Sequence, residues 1–483
     1  MIADIVVGTM WLTPATFDVR VRDGVVTLRG QLERRGEVSV LLRLTEQVDG
    51  VAPVVDELTY RVDDSRPPRP AERTLLGLAG DRSAAAPDRT GETMGSATTT
   101  HDVAGPKDTA CVLDRAGLDA LVQVLRARGR TVVGPTRRDG AIVLAELESA
   151  AELPYGWGVE LEGGHYRVIR RGDEAAFAHS AGPQSWKNFL LPQRVRQWTA
   201  DRGPDGELTV RPERHEPASY AFLGVRPCDL RAIAIQDRVL TGGRHKDDAY
   251  QARRDGAFLI AVECAEPGAT CFCVSMGTGP AAGPGYDIAM TEVLDGAGHR
   301  FLARAGTPEG AEVLAGLPRR AADSVTRTAA REAVEAAAGR MGRTMPEVDL
   351  RALLAGTLDA ERWNDVASRC LTCGNCTMAC PTCFCTTTED VTDLTGDHAE
   401  RWSRWESCYD LDFSHLQGGP VRASGRSRYR QWLTHKLGTW YDQFGSSGCV
   451  GCGRCIVWCP VAIDITEEAH ALHQEALGKD GSS

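Results

Sequence analysis

Residues 370–381 read CLTCGNCTMACP, and residues 449–460 read CVGCGRCIVWCP, so the spacing C-x2-C-x2-C-x3-C-P occurs twice without a change. Three thiolates two residues apart wrap one face of a metal cluster in a tight loop, and bacterial ferredoxins ligate [4Fe–4S] cubanes with this spacing. Gly374 and Gly453 are expected to supply the dihedral freedom and close backbone approach that such a loop needs. The fourth cysteine is expected to start a helix pointing away, with Pro381 and Pro460 in its first turn. In paired motifs of this kind the fourth cysteine ligates the neighbouring cluster. Cys370, Cys373, Cys376 and Cys459 are therefore assigned to one cluster, and Cys449, Cys452, Cys455 and Cys380 to a second. Zinc is the alternative, but it favours two CxxC pairs at short separation rather than two four-cysteine runs each followed by proline.

The rest of the chain fits that chemistry. Its 483 residues exceed one ordinary core and predict several domains. A net charge of −11 argues against nucleic acid as a partner. No uncharged apolar run approaches the roughly eighteen residues of a membrane span, and MIADIVVGTMWLTP lacks the basic start of a signal peptide. The reading is a cytoplasmic protein, in which sixteen cysteines are better metal ligands than disulfides.

The expected fold class is α+β and multidomain: a small α/β head, a mixed α/β middle domain and a C-terminal two-cluster ferredoxin-like helical module. In residues 1–63, Phe17, Val19 and Val21 alternate with polar residues, Asp23-Gly24 supplies a hairpin turn, and Val25–Leu28 returns as a strand. A helix carrying Val38, Leu41, Leu42 and Val48 and stopping at Gly50 follows, then a strand from Val54 to Tyr60. The runs VRDGVVTLRGQLERRGEV and LTEQVDGVAPVVDELTY resemble the BON domain, here either an accretion or a docking element. Residues 64–108 are rich in Pro, Ser, Thr, Ala and Gly and predict a flexible linker. Residues 109–345 form the mixed domain: Leu118, Leu121, Val122 and Leu125 have helical spacing, and Thr131–Pro135, Ala221–Val225 and Phe258–Val262 are strand-like. Residues 319–342 predict a helix, and another from about 348 carries Leu350, Leu353, Leu354 and Leu358 towards Cys370 in the module 346–483.

Two of the strand-like runs lead almost directly to cysteines, Cys228 and Cys264, and Cys271 and Cys273 follow. Strand ends of an α/β sheet line one crevice, so these four are candidates for a third cluster; reactive or merely buried thiols are the alternative. Arg226 and Arg231 could offset its charge, or pair with Asp229. Cys383, Cys385 and Cys408, between the two motifs, are the rival ligand set. The aromatic residues there, Trp402, Trp405, Tyr409, Phe413, Trp432, Trp440 and Tyr441, would exclude water from the clusters. The fragment MGTGP lacks the full dinucleotide fingerprint, and no P-loop, HExxH or nucleophile elbow is present. No catalytic residue is assigned.

GVRPCDLRAIAIQDRVL, VECAEPGATCFCVSMGTGP, CLTCGNCTMACPTCFC, RYRQWLTHKLGTWYDQF and GCVGCGRCIVWCPVAIDITEE, taken together and in this order, resemble the 4Fe–4S dicluster beta subunit of soluble NAD(P)-linked nickel–iron hydrogenases, the sulfhydrogenases. The iron–sulfur subunit of anaerobic sulfite reductase belongs to the same family. The resemblance spans about 109–483. It implies partners: a subunit binding FAD and NAD(P), with either the small and large nickel–iron hydrogenase subunits or a sirohaem sulfite reductase subunit. It also implies that this chain is an electron-transfer subunit of an oxidoreductase complex rather than the catalytic one. A redox-sensing regulatory iron–sulfur protein is the alternative of another class.

Overall fold

The computed structural model describes residues 17–22, 25–34, 54–62, 110–215, 217–416 and 419–480, together with Val38 and Leu42. Contacts divide the chain into two compact units, residues 1–103 with 414–421, and residues 104–413 with 422–483. In the first unit, Phe17–Arg22 and Val25–Arg34 pair antiparallel with Arg22 opposite Val25, the register a two-residue connection requires. Val54–Val62 lies parallel to the second strand, with Val26 opposite Val54. Parallel neighbours need a crossover, and Val38 and Leu42 within it are helical. Val26 and Leu28 are fully buried. Leu41, Val48 and Gly50 of the expected helix, and the linker at 64–108, lie outside the described residues.

The second unit is built on an eight-stranded sheet. Its centre runs Thr131–Arg138, Tyr220–Val225, Phe258–Val262 and Ile288–Asp295, all parallel, with antiparallel strands completing both sides. Period-2 alternation splits the central strands between two cores. Ala221, Leu223, Phe258 and Ile260 pack with Leu118, Leu121, Val122 and Leu125 of helix Arg115–Ala127 on one side. Phe222, Val225, Leu259 and Ala261 pack with Ile233 and Tyr250 of helices Pro227–Thr241 and Asp248–Asp255 on the other. The near-continuous apolar runs follow from burial on both faces.

The expected helix at 319–342 is shorter. Asp323 caps it by accepting from Thr326 N–H at 2.7 Å, it spans Ser324–Ala338, and Arg320–Ala321 instead pairs as a strand with Cys111–Val112. Helix Leu350–Gly356 is capped by Asp349. Residues 381–448 are more than a cover for the motifs. Their strands Thr386–Thr392 and His398–Trp405 join Arg194–Arg202 and Leu208–Pro212 in a four-stranded antiparallel sheet.

Helix Arg362–Arg369 ends on Cys370 and thereby aims the first motif. Its first turn is satisfied from outside: the Glu475 carboxylate accepts from the N–H groups of Glu361 and Arg362 at 3.0 and 3.1 Å. Buried Glu468, on helix Ile465–Asp480, accepts from Arg362 at 2.6 and 3.1 Å and from Arg369 at 2.9 Å. Glu468→Ala should remove these charged bonds, lower stability by about 1.5–3 kcal/mol for each strong one lost, and speed amide exchange in 362–369, measured by thermal melting and hydrogen exchange.

Candidate metal centre

Both motifs fold the same way. Gly374 and Gly453 adopt φ 74° and 73° and open short helices, Asn375–Met378 and Arg454–Val457. In each loop a backbone N–H donates to the first cysteine's sulfur, Thr372 to Cys370 and Gly451 to Cys449, both at 3.4 Å. The expected helices after the fourth cysteines do not form there. Cys380 is followed by an irregular turn in which Thr382 Oγ1 donates to Gly448 O at 2.6 Å, and after Cys459 a helix begins only at Ile465. Tertiary bonds of the turn replace those a helix would have made.

Cys370, Cys373, Cys376 and Cys459 line one space, walled by Tyr409, Tyr429 and Trp432. Burial pushes the thiols of Cys370 and Cys376 up, and both also feel Cys459. Around the second motif, burial pushes Cys449 up to about 12 and raises Cys452 and Cys455, and all three feel Cys380. The fourth cysteine of each run thus sits with the other run's triad, the reciprocal arrangement expected from the spacing. Cys380 itself is held well below the usual thiol range, first by a hydrogen bond from Cys383, then by the Lys436 ammonium and Thr382 against the effect of burial.

The four upstream cysteines also come together. Cys228 stands in the first turn after strand Tyr220–Val225, Cys264 directly after Phe258–Val262, and these adjacent strand ends share one cavity of about 70 Å³ with Cys271 and Cys273. Burial pushes Cys271 up to about 11 and Cys273 to about 12. The loop carrying Cys271 and Cys273 lies directly on the second motif: Phe272 N–H donates to Gly451 O at 2.9 Å and Thr278 Oγ1 to Val450 O at 2.6 Å. Gly451, at φ 67°, makes this possible, because a Cβ there would stand 2.6 Å from the Cys273 backbone. Cys452 lines this third cavity, while Cys455 lines the Cys370 space. The second motif therefore lies between the other two thiol groups.

The charged residues differ from expectation. Asp229 pairs with neither Arg226 nor Arg231 but with Arg454, at 2.7 and 3.1 Å, both side chains buried. Arg226 donates instead to the carbonyls of Phe177 and His179. Two buried lysines went unnoticed in the sequence: Lys436 beside Cys380, and Lys187, which donates to Cys383 O at 3.2 Å and lies 3.8 Å from the Trp405 ring centre. Cys383, Cys385 and Cys408 gather at the base of the hairpin 386–405, where Glu406 N–H meets Cys385 O at 2.9 Å, and are not among the residues that line the third cavity.

The donors suit iron–sulfur clusters. All sixteen cysteines are free thiols, and raised thiols of this kind become good ligands once a metal displaces their protons. Buried polar atoms without a partner border the spaces: Tyr429 Oη and Trp432 Nε1 belong to the first wall, and His179 Nδ1 and Arg454 Nε to the third. Such donors match the hydrogen bonds that cluster sulfurs accept. Among the described residues, no three Cys, His, Asp or Glu side chains close round a point that suits a single metal ion; thiolates of a cubane stand wider, each on its own iron.

A 4Fe-4S dicluster domain family matches residues 369–463, a second 4Fe-4S dicluster domain family matches 333–384, and the BON domain matches 1–62. The chain is similar to sulfhydrogenase 2 subunit beta of Pyrococcus furiosus, with 32% identity over 252 residues, 51% of this chain and 71% of that protein.

Removing one partner of a buried pair strands the other charge, so Asp229→Asn is expected to cost about 3–5 kcal/mol. The double variant Asp229→Asn, Arg454→Met should melt closer to the parent than the single variant does. Melting curves of anaerobically purified protein decide this.

Proposed function

The chain belongs to the family of the sulfhydrogenase beta subunits and is an iron–sulfur electron-transfer subunit, and we propose that it serves a soluble nickel–iron hydrogenase complex, exchanging electrons with a partner that binds FAD and NAD(P). The observation that carries this reading is the contiguity of the thiol groups, with Cys452 bordering one neighbouring space and Cys455 the other. A subunit whose task is conduction needs centres in sequence rather than a substrate cleft.

In this proposal Cys370, Cys373, Cys376 and Cys459 hold one [4Fe–4S] cluster, and Cys449, Cys452, Cys455 and Cys380 a second. Cys228, Cys264, Cys271 and Cys273 hold a third. When bound, such clusters supply one-electron redox chemistry at a potential set by their surroundings. The chain's own residues do the rest. Tyr409, Tyr429 and Trp432 keep water from the first site, Gly451 lets the second and third loops touch, and Arg454 and Lys436 bring positive charge to buried sulfur. Residues 346–483 supply the paired motifs and 109–345 the third set, with the head 1–63 joined through 64–108. Hydrogen activation and flavin chemistry are assigned to partner subunits: the hydrogenase small and large subunits and the flavin subunit. The complex is placed in the cytoplasm; no helix among the described residues is long and apolar enough to cross a membrane.

Anaerobically purified full-length chain should carry about twelve irons, three cubanes' worth. The double variant Cys228→Ala, Cys271→Ala should retain about eight of them. An unchanged iron count in folded double variant removes the third site. The chain purified with its native partners should show hydrogen-dependent reduction of NAD(P); sulfite reduction without hydrogen turnover would assign it to a sirohaem complex instead.

A further inference from the structure

Lys436 lies 3% exposed on the single wide turn His435–Thr439, between helices Gly425–Thr434 and Trp440–Phe444. Its Nζ donates to three acceptors: Cys380 Sγ at 3.5 Å, Thr382 Oγ1 at 3.0 Å and Gly448 O at 3.2 Å. Thr382 has committed its own proton to Gly448 O at 2.6 Å, so its oxygen is free to accept from the lysine. An ammonium has three N–H bonds and no acceptor, and three acceptors on one nitrogen are the partner set of the charged form. No Asp or Glu pairs with Lys436 among the described residues, and its nearest negative charges are the thiolates of Cys380, Cys383 and Cys449. A buried cation without a carboxylate is costly unless another anion offsets it.

We propose that Lys436 sets the redox potential of the cluster held by Cys380, Cys449, Cys452 and Cys455, an inference that rests on the ligand assignment above. Uptake of one electron adds one negative charge to that site, with no bond broken and no proton moved. A fixed ammonium bonded to a ligand sulfur stabilises the reduced form more than the oxidised form and so raises the potential. Lys187 provides the contrast: it is also buried, but it donates to the carbonyls of Cys383 and Met378 and touches no sulfur.

The test is an EPR-monitored redox titration of the anaerobically purified full-length chain, with dithionite and mediators, alongside iron and sulfide counts. Lys436→Met should keep the iron and lower the reduced-to-oxidised ratio of one cluster about tenfold at a fixed ambient potential, which is 59 mV for a one-electron couple. Lys436→Arg should stay near the parent, and Lys187→Met should shift that cluster less. Full iron with an unchanged potential in Lys436→Met overturns the proposal. If that variant loses iron, Lys436→Gln, which keeps N–H donors without the charge, must show the same lowering or the proposal fails. A parent without a second cluster would overturn the ligand assignment, a distinct result.

Discussion

A thiolate in a dry interior must be matched by positive charge, and the second unit is arranged around that requirement. Burial alone drives Cys449 and Cys273 up to about 12 and Cys271 to about 11. Such thiols keep their protons near neutral pH and release them to a metal. What makes the ionised state tolerable is local: N–H groups of Thr372 and Gly451 on sulfur, the Arg454 guanidinium next to Cys452, and the Lys436 ammonium on Cys380. Each of these cations is itself buried, so sulfur and cation depend on one another.

This dependence explains why an α/β sheet and a ferredoxin-like loop are fused into one unit. The sheet delivers Cys228 and Cys264 at adjacent strand ends, where the helix Pro227–Thr241 also presents Asp229. Arg454, inside the second motif, reaches across to that carboxylate. Two glycines with positive φ, Gly451 and Gly453, let the motif backbone come within contact of residues 270–273, where any side chain would collide. The resulting contact brings the upstream thiols beside the second motif without an intervening layer.

Much of this was legible in the sequence because spacing carries geometry. The doubled C-x2-C-x2-C-x3-C-P pattern implied the reciprocal grouping of Cys380 and Cys459, and the strand runs before Cys228 and Cys264 implied a shared crevice. Helical spacing at Leu118, Leu121, Val122 and Leu125 located a core face that is fully buried. What stayed hidden were long-range electrostatic choices. Asp229 and Arg454 are 225 positions apart, and nothing local distinguishes Lys436 from a surface lysine. The pairing of Arg194–Arg202 with His398–Trp405 was equally invisible, since sheet partners are decided by tertiary packing rather than by propensity. The helices expected after Cys380 and Cys459 failed for a related reason: a local rule about proline at a first helical turn yielded to bonds with distant residues such as Gly448.

The central claim is spatial: thiols from three parts of the chain form neighbouring [4Fe–4S] sites, with the second motif in the middle. Anomalous diffraction at the iron edge from anaerobically grown crystals tests it most directly. The account predicts three iron peaks, the central one bounded by Cys449, Cys452, Cys455 and Cys380 and flanked by one at Cys370, Cys373, Cys376 and Cys459 and another at Cys228, Cys264, Cys271 and Cys273. Iron absent from the strand-end cavity, or a peak enclosed by all four cysteines of a single motif, would contradict it.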